Sequence, residues 1–225
     1  MQAMSIDPVQ TPPRGRGRPP AGEEPIASNE ALLDQALEIF ADHGYEGASV
    51  RELARRLGVS HGLLHSKFGS KRNLWEAAVD HAIQRLERIS TDGLRRIDPD
   101  AGVVERLRIV CVGFLLGVAD EPSILRIMNH EGTRESDRLD YIARNYFEAG
   151  AVPLGELLAE GRREGVLRPI PMATFFLLLA HGGGALFGLR PLAKHLGTPR
   201  GRSQATLRAQ AEEVVEVLLR GIEVR

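Results

Sequence analysis

The chain has 225 residues, of which 43% are hydrophobic and 26% are charged, and its formal net charge is −1. This length suits one large or two small domains with a real core, and the balanced charge excludes a polycation that coats nucleic acid with its whole surface. The single cysteine, Cys111, excludes an intrachain disulfide and lies on an apolar stripe, where we expect an unreactive core thiol.

Residues 1–27 are rich in proline, glycine and arginine and lack helical periodicity, which predicts a disordered basic arm. They contain no apolar segment of a secretory signal, so we expect a cytoplasmic protein. The run Arg16-Gly17-Arg18-Pro19 resembles the core of an AT-hook. Arg16 and Arg18 would enter a narrow A·T minor groove, whose negative potential attracts arginine. The alternative is a solubilising linker.

Residues 28–72 predict a three-helix domain with a helix-turn-helix. Ser28 is suited to cap a helix from about Asn29 to His43, which Gly44 would end. Ser49 and Glu52 form a capping box at the start of the second helix, and Ser60 caps a third helix, residues 61–68. Between them Gly58 supplies the positive φ of a tight turn. Four residues form the inward face: Leu53, Leu57, Leu64 and Phe68.

The rest of the chain predicts helices only, so the fold class is all-α. Ser70 caps a connecting helix, residues 73–90, and residues 91–225 form a second helical domain in which Pro153 should introduce a kink. Residues 172–189 are apolar nearly all round and are expected to be one buried helix. The glycines at 182–184 and His181 argue against a membrane span, so no membrane partner is expected.

Charge is concentrated in residues 49–72, which carry six basic residues and one acid, a local charge of 6 − 1 = +5 on a chain of net charge −1. Such a patch on an otherwise acidic protein favours one face that meets DNA phosphate.

With these motifs, the chain resembles the TetR family of transcriptional regulators. The matching residues are Ala36, Phe40, the run GYEGASV at 44–50, Leu53-Ala54, Gly58-Val59-Ser60 and Leu64 through Lys71. The remaining two thirds match only in kind, as an all-helical domain of the right length. The resemblance implies that this part dimerises and encloses a small ligand. One departure is His65, which occupies the position of a phosphate-contacting tyrosine in the family, so that contact cannot be carried over.

Candidate DNA contacts follow from a helical wheel with Leu64 and Phe68 inward. Gly62 and Ser66 then point outward, flanked by Leu63 and His65. This set lacks long base-reading side chains, so we expect phosphate contacts and DNA shape to carry much of the affinity. Phosphate anchors are expected at the helix starts marked by Ser49, Ser60 and Lys71, with Lys67 beside them. For the two serines the alternative is a cap alone.

Candidate ligand contacts in the second domain are apolar or aromatic and would suit a largely apolar small molecule. They are Phe114, Met128, Tyr146, Phe175 and His181. Each is more often ordinary core than ligand contact. Residues 172–189 and 203–223 are the candidate dimer surfaces. Gly182 to Gly184 would let a second backbone approach closely, with an intrachain core as the alternative.

The sequence therefore predicts a sequence-specific DNA-binding regulator: a homodimeric repressor released from a palindromic operator by a small, largely apolar ligand. The alternatives are an architectural, weakly specific DNA-binding protein that uses residues 16–19, or an activator of the same family. No phosphate loop, catalytic triad or metal-ligand spacing is present, so neither an enzyme, a cofactor nor a metal is expected.

Overall fold

The computed structural model describes residues 28–148, 153–198, 201 and 203–224. Within these ranges the backbone is helical, and its one β feature is an isolated bridge between Leu167 and Glu223. The expected all-α fold is confirmed. The domain boundaries expected at residues 72 and 90 stay a prediction.

The first four helices are α1 (Asn29–Gly47), α2 (Val50–Arg56), α3 (His61–Phe68) and α4 (Lys71–Asp92). We call α1 to α3 with the amino-terminal half of α4 the head. Each helix begins at a predicted serine cap, whose hydroxyl accepts a backbone N–H bond three residues on, over 3.0 to 3.3 Å. Gly44, at φ 69° and ψ 165°, interrupts α1 where its end was predicted, and a further turn follows.

The helix-turn-helix is formed as the sequence predicts. Gly58 takes φ +66° between α2 and α3, a conformation that a side chain would strain. Leu53 and Leu64 are buried, and Leu57 and Phe68 pack against them while half-buried. The outer side of α3 is thereby fixed.

The remaining helices form the body, in which α5 lies centrally against α4, α8 and α12. Short non-α turns follow α4, α7 and α9: a 3-10 turn at Gly93–Arg95 and π-helical turns at Ala143–Phe147 and Leu178–Gly183. The body helices are α5 (Val103–Asp120), α6 (Ser123–Glu131), α7 (Asp137–Ile142), α8 (Leu154–Arg163), α9 (Met172–Leu177), α10 (Ala185–Gly188), α11 (Arg190–His195) and α12 (Gln204–Ile222).

Residues 172–189 are not the single buried helix that was expected. A π-helical turn separates α9 from α10, and Leu177, Leu178 and Leu189 are about half exposed. Gly183 and Gly184 lie against neighbours of the same chain: an added Cβ would stand 2.8 Å from Val214 and 2.7 Å from Leu125. Two of the three glycines thus serve intrachain packing, and Gly182 faces open space.

Pro153 stands at the amino-terminal cap of α8 instead of inside a kinked helix. Its ring fixes φ and removes a backbone donor, so the helix begins after it.

The apolar core divides into two clusters. One fills the body around α5, and the other fills the head and also contains Ile124 and Ile127 of α6 and Ile142 of α7. Charge pairs reinforce this contact, because Arg126 of α6 pairs with Asp42 of α1. Helices α6 and α7 therefore connect the body to the head.

None of the helices that the structure describes is both long and apolar enough to cross a membrane.

Candidate nucleic-acid interface and ligand cavity

The outer side of α3 exposes the residues expected to face DNA. Gly62, His65, Ser66 and Lys67 are exposed, and Leu63 is half-buried. An ideal Cβ on Gly62 would meet only the Ser60 hydroxyl, at 4.0 Å, so the surface there is flat and open. A helix with this profile can lie close to the floor of a major groove.

The Ser66 hydroxyl donates to the Leu63 carbonyl oxygen over 3.1 Å. Its oxygen is left to accept a bond from DNA, and a donated bond requires a change of rotamer. This favours the expectation of modest base reading by α3.

A shallow depression of about 90 Å³ gathers residues from the starts of α2, α3 and α4. Its lining includes His61 and His65 of α3, and Ser70 and Lys71 at the start of α4. Asn73 donates to the Phe68 carbonyl over 2.9 Å and so holds α4 against α3. Free N–H groups at helix starts and a neighbouring ammonium make this a chemically suitable seat for a phosphate.

Ser49 and Ser60 cap their helices as predicted, and both are exposed. The capping box is only half formed. Ser49 accepts from the Glu52 N–H, but the Glu52 carboxylate accepts from Arg55 and Arg56. These side-chain hydrogen bonds lower the pKa of Glu52 to about 2.

These ion pairs reduce the positive charge that the head presents. Arg72 also pairs with Glu76, at 2.5 Å between Nε and Oε1. Within the described part of the chain, Arg51, Lys67 and Lys71 have no carboxylate partner within 4.0 Å. The basic residues of segment 49–72 are therefore unequal, and three of the six are free to meet phosphate.

Lys71 is half-buried, and its ammonium lies 4.1 Å from the centre of the Tyr45 ring. Withdrawal from water lowers the pKa of Lys71, Glu46 opposes that shift, and Arg138 adds to it. The Arg138 guanidinium lies 4.2 Å from the same ring. Tyr45 and Arg138 were not predicted as site residues.

The Arg16 and Arg18 prediction lies outside the described residues.

An apolar cavity of about 210 Å³ lies between α4, α5, α6, the turn after α7, and α9. Four of the five predicted ligand contacts line it: Phe114, Met128, Tyr146 and His181. Phe175 instead is 1% exposed in the core of the body, and its neighbour Phe176 reaches the cavity. The stretch around Phe175 is apolar nearly all round, so its pattern gave no sign of which of the two rings faces the cavity.

Three of the four aromatic rings that line the cavity pack against one another. Phe176 stands edge-on to Phe114 at 5.9 Å and to Phe147 at 5.2 Å between ring centroids. Such contacts add to the apolar burial and fix the rings.

One polar group lies behind the wall. Tyr146 lines the cavity, and its hydroxyl donates to the Asp80 carboxylate, which also accepts from Tyr141 over 2.7 Å. Burial raises the pKa of both tyrosines, and the bonds to Asp80 raise it further. The hydroxyls therefore stay protonated donors, which leaves an apolar face toward a ligand.

A larger groove of about 860 Å³ runs between α4, α5 and α12. Its five arginines and five carboxylates balance in charge, and several are paired, as in the Arg108 to Glu216 pair at 2.5 Å and the Arg96 to Asp92 pair at 2.7 Å. Mutually paired charges leave little for a ligand to neutralise, so the smaller apolar cavity is the better ligand site.

Cys111 is fully buried, and burial raises the pKa of its thiol far above its usual range. It belongs to the core, in agreement with the sequence.

A sequence profile described as bacterial regulatory proteins, tetR family, matches residues 32–78. The HTH-type transcriptional repressor AcnR of Corynebacterium glutamicum is 43% identical over 75 residues, which are 33% of this chain and 40% of AcnR. The HTH-type transcriptional repressor ComR of Escherichia coli K12 is 33% identical over 83 residues, 37% of each chain. The chain thus matches about two fifths of the length of these relatives. They are named as regulators, in agreement with the expectation of a non-enzyme.

The fold of most of the chain is similar to that of solved structures. A TetR family transcription regulator from Marinobacter aquaeolei VT8 matches with a TM-score of 0.65 at 18% identity, covering 87% of this chain and 96% of that one. At this identity the likeness concerns the fold alone.

Proposed function

We propose that the chain is a sequence-specific DNA-binding transcriptional regulator acting in the cytoplasm, because its residues 32–78 match the profile of bacterial regulatory proteins, tetR family. Its finer action, in this proposal, is that of a homodimeric repressor that a small, largely apolar ligand releases from a palindromic operator. The observation that carries the proposal is the outer side of α3, open at Gly62 and flanked by the depression that holds His65 and Lys71.

Two features support a dimer. A single α3 reads only a half-site, so two copies are needed for a specific operator. The body also exposes leucines on neighbouring elements: Leu178 is 49%, Leu189 54% and Leu196 77% exposed. Exposed apolar side chains can mark association sites, and Val217 of α12 is also 70% exposed.

The apolar cavity supports the ligand. Its volume of about 210 Å³ is below the ~300–1,000 Å³ of sites for drug-sized molecules, which favours a small ligand. Helix α4 contributes Ile83 and Leu86 to the lining and begins at Lys71 in the head. A ligand that prefers one placement of α4 would change operator affinity by its differential affinity for the two placements.

The test is fluorescence anisotropy with DNA from upstream of the protein's own gene against a scrambled duplex at physiological salt. We expect at least about a thousandfold preference for the native DNA. Equal, weak and steeply salt-dependent binding to both duplexes would favour the architectural alternative.

Two glycine variants locate the DNA-binding face. Gly62→Glu places an acid where α3 meets DNA, and Gly155→Glu places one at an equally open position on α8. We expect the first to weaken binding about a hundredfold or more by repulsion from phosphate, and the second to bind as the unchanged protein does. Equal losses would contradict the assignment of α3 as the reading helix.

A further inference from the structure

We propose that Tyr45 and Arg138 are positioning residues for the Lys71 phosphate contact, and that Glu131 ties them to the helix lining the apolar cavity; this rests on the DNA-binding function proposed above. Tyr45 lies in the run GYEGASV at 44–50, whereas Glu131 and Arg138 lie outside the motifs recognised in the sequence. The contacts among them form a route from the cavity to the head.

The route begins at Tyr45, directly after the break of α1 at Gly44. The Lys71 ammonium lies 4.1 Å and the Arg138 guanidinium 4.2 Å from the centre of its ring. Both cations are attracted to the ring by its negative faces. A lysine side chain has several rotatable bonds, so a ring that restricts them lowers the entropic cost of holding a phosphate.

Arg138, near the start of α7, is itself held firmly. Its Nε donates to both Glu131 oxygens at 3.0 Å, and its Nη1 donates to Glu46 at 3.3 Å. Glu131 is only 5% exposed and also accepts from the Ser136 hydroxyl. A buried carboxylate loses much of its stabilisation when its partner leaves, so Glu131 and Arg138 should move together.

Glu131 connects this pair to the cavity. It ends α6, and Met128 and Gly132, on either side of it, line the cavity. A ligand that displaces this end of α6 would displace Arg138 and, through Tyr45, Lys71. A second contact joins the same elements, because Arg72 donates to the Asp137 carbonyl over 3.1 Å. The start of α7 therefore holds two consecutive residues at the start of α4.

The first test is a double-mutant cycle on DNA binding, measured with the upstream and the scrambled duplex because a phosphate contact acts on both. We expect Lys71→Ala to weaken binding about tenfold and to lower the salt slope by about 1. Tyr45→Leu should weaken it about threefold. The double variant should bind like Lys71→Ala alone, since Tyr45 acts through Lys71. Tyr45→Phe keeps the ring and should bind normally. Effects that multiply in the double variant would overturn the proposal.

The second test does not depend on DNA. The ring current of Tyr45 should shift the side-chain NMR resonances of Lys71 upfield in the free protein. Arg138→Gln should move those resonances back toward random-coil positions. Arg126→Gln removes the neighbouring pair with Asp42 on the same interface and serves as the control that leaves them in place. If the chemical shifts of the Lys71 side chain are unchanged in Arg138→Gln, the positioning role of Arg138 is wrong.

The two tests separate the two proposals. If the Lys71 resonances respond to Arg138→Gln but the protein binds neither duplex, the positioning assembly stands and the DNA-binding proposal fails. If the protein binds the upstream duplex and the cycle is additive, the DNA-binding proposal stands and the positioning role is wrong.

Discussion

The outer side of α3 and the exposed side of α9 to α11 are both surfaces of short helices, yet they differ in chemistry. The first exposes glycine, serine, histidine and lysine around Gly62, and the second exposes leucines such as Leu178 and Leu196. A polar, flat surface suits a hydrated and charged partner, whereas exposed leucines gain free energy only when another apolar surface covers them. The exposed side chains, more than the helices themselves, therefore suit the two surfaces to different partners.

The largest expected effect is on the free energy of unfolding, and it distinguishes a core phenylalanine of the body from one at the cavity wall. Phe175 is buried, so Phe175→Ala should lower the free energy of unfolding by about 3–5 kcal/mol. Phe176 is half-buried at the cavity wall, and Phe176→Ala should cost less than half as much. Urea unfolding of both variants measures the difference. Similar losses would mean that both rings are core.

The next effect concerns the leucine surface. Leu178→Glu combined with Val217→Glu should convert a dimer to a monomer and weaken operator binding about a hundredfold, because two linked reading helices gain avidity that one lacks. Sedimentation equilibrium and anisotropy measure both changes. Val166→Glu with Val224→Glu, two exposed valines elsewhere, is the matched control. A double variant that stays dimeric would contradict the assignment of this apolar surface to the dimer contact.

A smaller effect distinguishes neighbouring glycines. A Cβ on Gly183 would lie 2.8 Å from Val214 and 3.2 Å from Leu115, so Gly183→Ala should lower the free energy of unfolding by about 1–3 kcal/mol. Gly182 meets nothing within 4 Å, and Gly182→Ala should be neutral or raise it by up to about 1 kcal/mol. Thermal unfolding of the two variants measures both changes. Destabilisation by Gly182→Ala as well would contradict the open surroundings of Gly182.

The smallest expected effect concerns the positive charge that α2 offers to DNA. Glu52 forms ion pairs with Arg55 and Arg56, so Glu52→Gln should free two cations. We expect this variant to bind any duplex a few-fold more tightly and with a steeper salt dependence. An unchanged salt slope would show that neither arginine reaches the DNA.

Because the folded-state pKa of Glu52 is lowered to about 2, its pairing contributes stability above the ordinary pKa of a glutamate. This stability is lost as the pH falls toward 2. An NMR titration of its carboxyl carbon measures the midpoint.

Local rules predicted much of the head. Four serine caps, the break at Gly44 and the turn at Gly58 depend on residues a few positions apart, and the structure contains each of them. The exposed positions of α3 followed from the same periodicity.

Long-range contacts escaped prediction. Arg138 meets Tyr45 across 93 positions of sequence, and nothing in either neighbourhood indicates the other. The ion pairs of Glu52 lay within one helical turn, and a count of charges over residues 49–72 hid them. The cavity residue Phe176 was missed because residues 172–189 are apolar nearly all round, so periodicity does not distinguish its face from that of Phe175.

The single tryptophan of the chain, Trp75, is fully buried between the head and the body. Its ring stands edge-on to Tyr45 at 6.3 Å and to Tyr141 at 6.2 Å between centroids. The protein therefore carries an intrinsic fluorophore where the head contacts the body, beside the proposed route from the cavity to Lys71. Its emission maximum and quenching should report movement there without a label, one signal per protomer, in the free protein, with DNA or with a ligand.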